Sequence, residues 1–361
     1  MKESLTNRQI AFMLFGAVVG YGVIDLPNNA AAEAGTGAWI PLTFTTAIVV
    51  LFTYFIIYIG YNNENQTLFE YSQKLMGKAL GKLITIVYII YFLLVLSVLV
   101  RAYSEVITTL FFQKTPVWSI SLFFLLVVGY ALTKNLNTIA RVTEIYILIV
   151  IMGYIFIHIL MATQGKTVNI RPIFGSEDLM IYARASFKLL LPFLGPEIIM
   201  FIPINKKANK GVIKYPVLSV LFIGLLIIFI VESTISVVGV EDVVYYNASV
   251  FKVLKGIDIP YLEIFRRPDG IYIMFWTLNI FCSLCIWSYG YVSLSNKLIK
   301  KMPLNIIILS AIIVSFILSQ VPKTPDELRK MFSLVSYIGI FTLIVGPTIL
   351  FIMTKVKKND K

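Results

Sequence analysis

Charge is scarce in this chain, and histidine and cysteine are scarcer still. Asp, Glu, Lys and Arg together make up 14% of the 361 residues, with one histidine and two cysteines. That poverty excludes most enzymatic centres. There is no P-loop, no catalytic triad and no His/Cys/acid cluster at metal-ligand spacing, so no enzyme activity, metal or cofactor is expected. Cys282 and Cys285 stand three apart in an apolar segment without His or acidic neighbours, and read as buried inert thiols. No disulfide framework is visible. The net charge of +12 would suit nucleic acid, but the basic residues lie in short clusters between apolar runs, where they act as topology signals. Membrane lipid, and no nucleic acid, is the expected surrounding.

What abounds is apolar surface, at 58% of residues. A water-soluble domain cannot hide that much, so the chain reads as an all-α polytopic membrane protein. Windows of about 20 apolar residues give ten spans, near 8–32, 38–61, 82–111, 117–134, 138–162, 179–204, 212–238, 271–298, 303–321 and 331–355. Most are joined by short polar segments, so residues 1–361 form a single transmembrane domain. Residues 62–81 carry Leu68, Phe69, Leu75 and Met76 among lysines, as a short interfacial helix does. Residues 239–270 form the largest loop. The first apolar run is too long, and too interrupted by Asp25 and Pro27, for a signal peptide; it is expected to stay as the first membrane helix. Lys and Arg concentrate at the N-terminus, around Lys74, Lys206, Lys297 and the C-terminal tail. Both termini are therefore expected on the cytoplasmic side.

Two spans cannot remain helical throughout. In Gly16–Pro27 of the first, Gly20 and Gly22 each cost about 1 kcal/mol relative to alanine, and Pro27 lacks an N–H. In the sixth, Leu191-Pro192-Phe193-Leu194-Gly195-Pro196-Glu197 repeats the theme of helix breakers followed by an acid. The breaks centre near residues 21 and 195, five spans apart. An odd number of spans per repeat inserts the second half upside down. That predicts a five-plus-five inverted repeat, approximately 8–162 and 179–355, with broken helices 1 and 6 flanking a binding site.

An unwound turn exposes backbone N–H groups at one half-helix start and carbonyls at the other half's end. The first attract an anion and the second a cation, which suits a free amino acid. Val19, Gly20, Tyr21 and Gly22 are expected to present backbone to a carboxylate. Leu194, Gly195, Pro196 and Glu197 would meet the ammonium or shape the side-chain pocket, with Glu197 either facing ligand or capping its half-helix. Tyr91, Val95, Ser283, Trp287 and Tyr289 are the polar or aromatic points of spans three and eight, and are candidate walls. Asp25 reads as a neighbour of the site. Arg101 and Glu105, at i and i+4, can form a gating or structural ion pair. Arg184 and Lys188 suit outward snorkelling, Glu144 and Glu232 are lone acids, and His158 reads as a packed or interfacial side chain.

The ordered set Leu5-Thr6-Asn7-Arg8-Gln9, Gly20 to Pro27, Gly37-Ala38-Trp39-Ile40, Leu68-Phe69-Glu70-Tyr71, Arg101 to Glu105, Pro192 to Glu197 and Tyr289-Gly290-Tyr291 resembles the B subunit of spore-germination nutrient receptors, in the amino acid–polyamine–organocation superfamily. The resemblance implies a germinant-sensing subunit in the inner membrane of a bacterial endospore, with both termini on the core side. It implies a nutrient ligand such as an amino acid, and a complex with receptor A and C subunits through which binding triggers ion release. Arg266 stands where the family commonly has an acid, and Pro196 stiffens the second break. An ordinary secondary amino-acid transporter coupled to a proton or Na⁺ is the alternative, and a structural scaffold a third reading.

Overall fold

In the computed structural model, which describes residues 5–20, 22–175, 177–257 and 268–359, all regular structure is helical. The described residues hold six helices long and apolar enough to cross a membrane, one bent pair that makes a further span, and three shorter apolar stretches. These fall on the ten spans expected. The bent pair is α1 (Asn7–Val18) and α2 (Gly22–Ala34), turned by 58°. The first half continues through α3 (Trp39–Asn62), α4 (Leu68–Met76), α5 (Lys78–Leu110), α6 (Val117–Leu132) and α7 (Leu136–Gln164). The second half starts with α8 (Leu179–Lys188), which gives way to two 3-10 turns at Leu191–Phe193 and Pro196–Phe201. Then come α9 (Lys214–Val238), the short α10 (Val240–Val243) and α11 (Ser249–Gly256), α12 (Pro268–Leu298) and α13 (Leu304–Ser319). A π-helical turn at Phe341–Val345 joins α14 (Pro325–Ile340) and α15 (Gly346–Asn359) into the last span.

Local chemistry sets these boundaries. α1 opens with a reciprocal cap: Gln9 N–H donates to the Thr6 hydroxyl at 3.2 Å, and Thr6 N–H to Gln9 Oε1 at 3.0 Å. Pro27 lies inside α2, which runs through it. A proline this close to a helix start removes a single ladder bond, so the interruption falls earlier, between Val18 and Gly22. In the sixth span Pro192 and Pro196 each enter a 3-10 turn at its start.

Spans two and seven, α3 and α9, pack on each other, as do spans three and eight, α5 and α12. Large apolar side chains such as Phe123, Leu148 and Leu225 remain exposed on the outside of the bundle, where lipid replaces water. The chain is a multi-pass membrane protein.

On the side carrying the termini the bundle is closed by polar bonds. Asn209 Nδ2 donates to Leu5 O at 2.8 Å and to Asn7 Oδ1 at 2.9 Å, and Asn7 Nδ2 donates to Lys210 O at 3.0 Å. Glu144, a lone acid in the sequence, pairs with Arg8. The interfacial helix α4 is held by Lys297, whose Nζ donates to Glu70 Oε1 at 2.6 Å and Thr67 Oγ1 at 2.9 Å.

Burial alone would raise the Glu70 pKa, but hydrogen bonds from Lys297 and Thr67 outweigh it and hold the carboxyl below its ordinary 4.5. A depressed native value means the stabilisation is complete above the unfolded-state value and is lost as pH falls through the native one. Glu70→Gln should therefore lower the thermal stability of the detergent-purified chain at neutral pH. The gap to wild type should narrow as pH is taken below 4.5; a gap constant with pH would show that ionisation of the carboxyl contributes nothing.

Candidate functional site

The two breaks cross each other, and glycine makes the crossing possible. A Cβ on Gly195 would stand 2.5 Å from Val18 Cγ2 and 3.0 Å from Val18 N, at a φ of +155°. A Cβ on Gly22 would stand 2.7 Å from Pro192 Cβ and 3.0 Å from Pro192 Cα. Each break thus receives the other's residues where a side chain is missing.

Each break is also fastened by one buried side chain. At the second, Glu197 is fully buried. Its Oε1 accepts from the Tyr91 hydroxyl at 2.5 Å and its Oε2 from Gly195 N–H at 2.9 Å. The Tyr91 ring meets Trp287 edge-on at 5.7 Å. At the first break Asn279 Nδ2 donates to Val19 O at 2.5 Å. Sequence reasoning passed over Asn279. Its signal was an amide in the middle of an apolar span, which must find a partner at membrane depth, but that partner exists only because α1 stops short.

A cavity of about 600 Å³ begins at the crossing and opens away from the termini, within the usual range of about 300–1,000 Å³ for ligand sites. Gly20, Gly22, Tyr91, Val95, Leu194 and Trp287 line its inner end. α5 supplies one wall as a helical stripe through Tyr91, Val95, Val98, Ala102 and Glu105. Polar groups collect toward the mouth. There Asp25 Oδ1 accepts from Ala248 N–H at 2.5 Å, and Glu105 pairs with Arg101 at 3.5 Å. The segment from α10 to α11 is strapped to α2: Ser249 Oγ donates to Ile24 O at 3.0 Å, and Asn28 Nδ2 to Val244 O at 2.5 Å. Lys252 and Arg329 complete the rim.

Six of the expected site residues therefore share the inner wall. Val19, Gly195, Pro196, Glu197 and Ser283 are buried in the packing around the cavity and do not line it. Tyr21 and Arg266 lie outside the described residues. Arg101 pairs with Glu105 and does not itself line the cavity, while Tyr289 packs on Phe201 at 5.9 Å. His158 is buried away from the cavity, with Nδ1 2.8 Å from Ser233 Oγ. Lys188 pairs with Glu33 at 2.7 Å, Arg184 is exposed, and Glu232 takes a hydrogen bond from the Trp39 backbone. Both cysteines are buried and free.

Two polar atoms in the packing around the inner end are left over. Trp287 Nε1 and Ser283 Oγ are buried and lack a hydrogen-bond partner among the described residues, although buried polar groups are almost always satisfied. Ser283 Oγ lies 3.0 Å from where a Cβ on Gly20 would stand, just ahead of the start of α2, whose backbone donors and dipole favour an anionic group. The carbonyl end of α1 faces the same space through Ala17 and Val18.

The fold and the sequence have counterparts among known proteins. A solved Na⁺-coupled sialic acid symporter, in a substrate-bound outward-open state, has the same fold with a TM-score of 0.70, at 12% identity over 94% of this chain and 77% of that one. Spore germination protein YndE of Bacillus subtilis is 26% identical over 99% of this chain and 98% of its own. Spore germination protein A2 of the same organism is 27% identical, over 95% and 93%. Spore germination protein GerLB of Bacillus cereus is 21% identical, over 99% and 96%. A family model described as spore germination protein matches residues 4–328. With a transporter-type fold throughout and that match over most of its length, this chain belongs to the spore germination protein family.

Proposed function

We propose that the chain is the germinant-sensing subunit of a spore-germination receptor, and that the cavity between its two breaks receives a small zwitterionic nutrient, an amino acid. The observation that carries this reading is the meeting of the start of α2 with the carbonyl end of α1 at the closed end of a cavity that opens to one side. The ligand carboxylate sits at Gly20 to Gly22, and its ammonium turns toward the carbonyl end of α1. Ligand binding shifts an equilibrium between conformations of the bundle, and receptor A and C subunits read that shift without any chemical step. The clustering of Lys and Arg near the termini supports a spore inner membrane setting with both termini on the core side.

A Na⁺-coupled transporter is the second reading, since fold alone does not decide function. In such folds the carbonyl ends of broken helices coordinate the coupling ion. Here the Asn279 amide takes one lone pair of Val19 O, and the carbonyl end of α1 is the place where a ligand ammonium and a coupling cation would compete. Spores lacking this gene should lose their dose-response to a nutrient amino acid that wild-type spores answer. Vesicles containing the chain alone should not accumulate that labelled amino acid under a Na⁺ gradient. Na⁺-dependent accumulation would favour the transporter.

A further inference from the structure

We infer that the ligand of this cavity carries an uncharged, apolar side chain of branched or aromatic size; the inference rests on the amino-acid site proposed above. With its carboxylate at the start of α2 and beside Trp287, an amino acid directs its side chain toward the next layer of the cavity. Val98 and Leu99 of α5, Leu191 of the second break, and Phe332 and Val335 of α14 make that layer.

The charges nearby are engaged or distant. Both Glu197 oxygens are occupied by Tyr91 and Gly195. Asp25, one turn into α2, holds Ala248 N–H. Glu105 stands fourteen positions beyond Tyr91 on α5, about 21 Å at 1.5 Å per residue, and it is paired with Arg101. Lys252 and Arg329 are both exposed residues of the rim. An ionised ligand side chain would therefore be stripped of water against aliphatic walls with no matching partner. An apolar one gains with each methylene it buries, about fourfold in affinity for each.

Isothermal titration of the detergent-purified full chain with L-alanine, L-leucine, L-phenylalanine, L-lysine and L-glutamate tests this. L-leucine or L-phenylalanine should bind at least tenfold tighter than L-alanine, with L-lysine and L-glutamate weaker than all three. If L-lysine or L-glutamate binds as well as L-leucine, the apolar preference is wrong while the amino-acid site stands. If none of the five binds, the amino-acid reading fails first and takes this inference with it. Val98→Phe locates the side-chain layer: the ratio of Kd for L-leucine to that for L-alanine should rise at least tenfold. An unchanged ratio in a folded variant would place the side chain elsewhere and overturn the assignment.

Discussion

Replacing Gly195 with alanine should abolish ligand binding while leaving the chain inserted and folded in the membrane. The new methyl would stand 2.5 Å from Val18 Cγ2 and 3.0 Å from Val18 N, and the second of these is backbone that cannot rotate aside. Overpacking of this kind costs about 1–3 kcal/mol, and the φ of +155° at this position adds backbone strain for any side chain. Domains of ordinary stability, about 5–15 kcal/mol, survive such a loss. What does not survive is the crossing, because the two breaks must move apart and they form the closed end of the cavity. Gly22→Ala pushes on Pro192 from the other side and should act in the same direction. Gly270→Ala in α12 meets nothing within 4 Å and serves as a neutral control. Membrane fractionation and size-exclusion profiles report the fold, and calorimetric titration reports the site. A Gly195→Ala chain that binds ligand like wild type would show that the site does not depend on the crossing.

The second large effect should come from Glu197→Ala. It strands Gly195 N–H and the Tyr91 hydroxyl in a fully buried position, and each unpaired group costs about 1–3 kcal/mol. Tyr91→Phe strands one carboxylate oxygen instead. Because the two side chains meet directly, the double variant should be less destabilised than the two single changes added together, with a coupling of about 0.5–3 kcal/mol. Thermal unfolding of the four proteins in detergent measures it. Strict additivity would mean that the Tyr91–Glu197 bond contributes nothing. Glu197→Gln should fall between wild type and Glu197→Ala, since its carbonyl oxygen can still accept from Gly195 N–H. A ligand response unchanged in Glu197→Gln would confine the residue to holding the second break.

The broken spans were readable because glycine and proline act on the chain locally: a missing Cβ or N–H has the same consequence in any fold. Span number, too, follows from apolar length alone. Pro27 shows the limit of that reading, since its effect depends on how near it falls to a helix start, and the start of α2 is set by where α1 stops. Gly22 and Gly195 were expected at the breaks for their freedom, yet their closest service is to admit the opposing break. That relation between residues 170 or more positions apart has no local signature.

From the sequence alone came a ten-span membrane bundle, its two interrupted spans, and six of the residues that line the inner end of one cavity. These rest on hydropathy, backbone chemistry and the repetition of one pattern, all of which are properties of short segments. Tertiary structure alone decided that Glu197 is occupied by Tyr91 and Gly195, and that Asn279 takes the carbonyl of Val19. It also decided that α5 and α14 wall the cavity with aliphatic and aromatic side chains while the charges stand at its rim. Whether a buried polar group is free for a ligand depends on which partner lies within 3 Å of it, and that is settled by how distant spans pack.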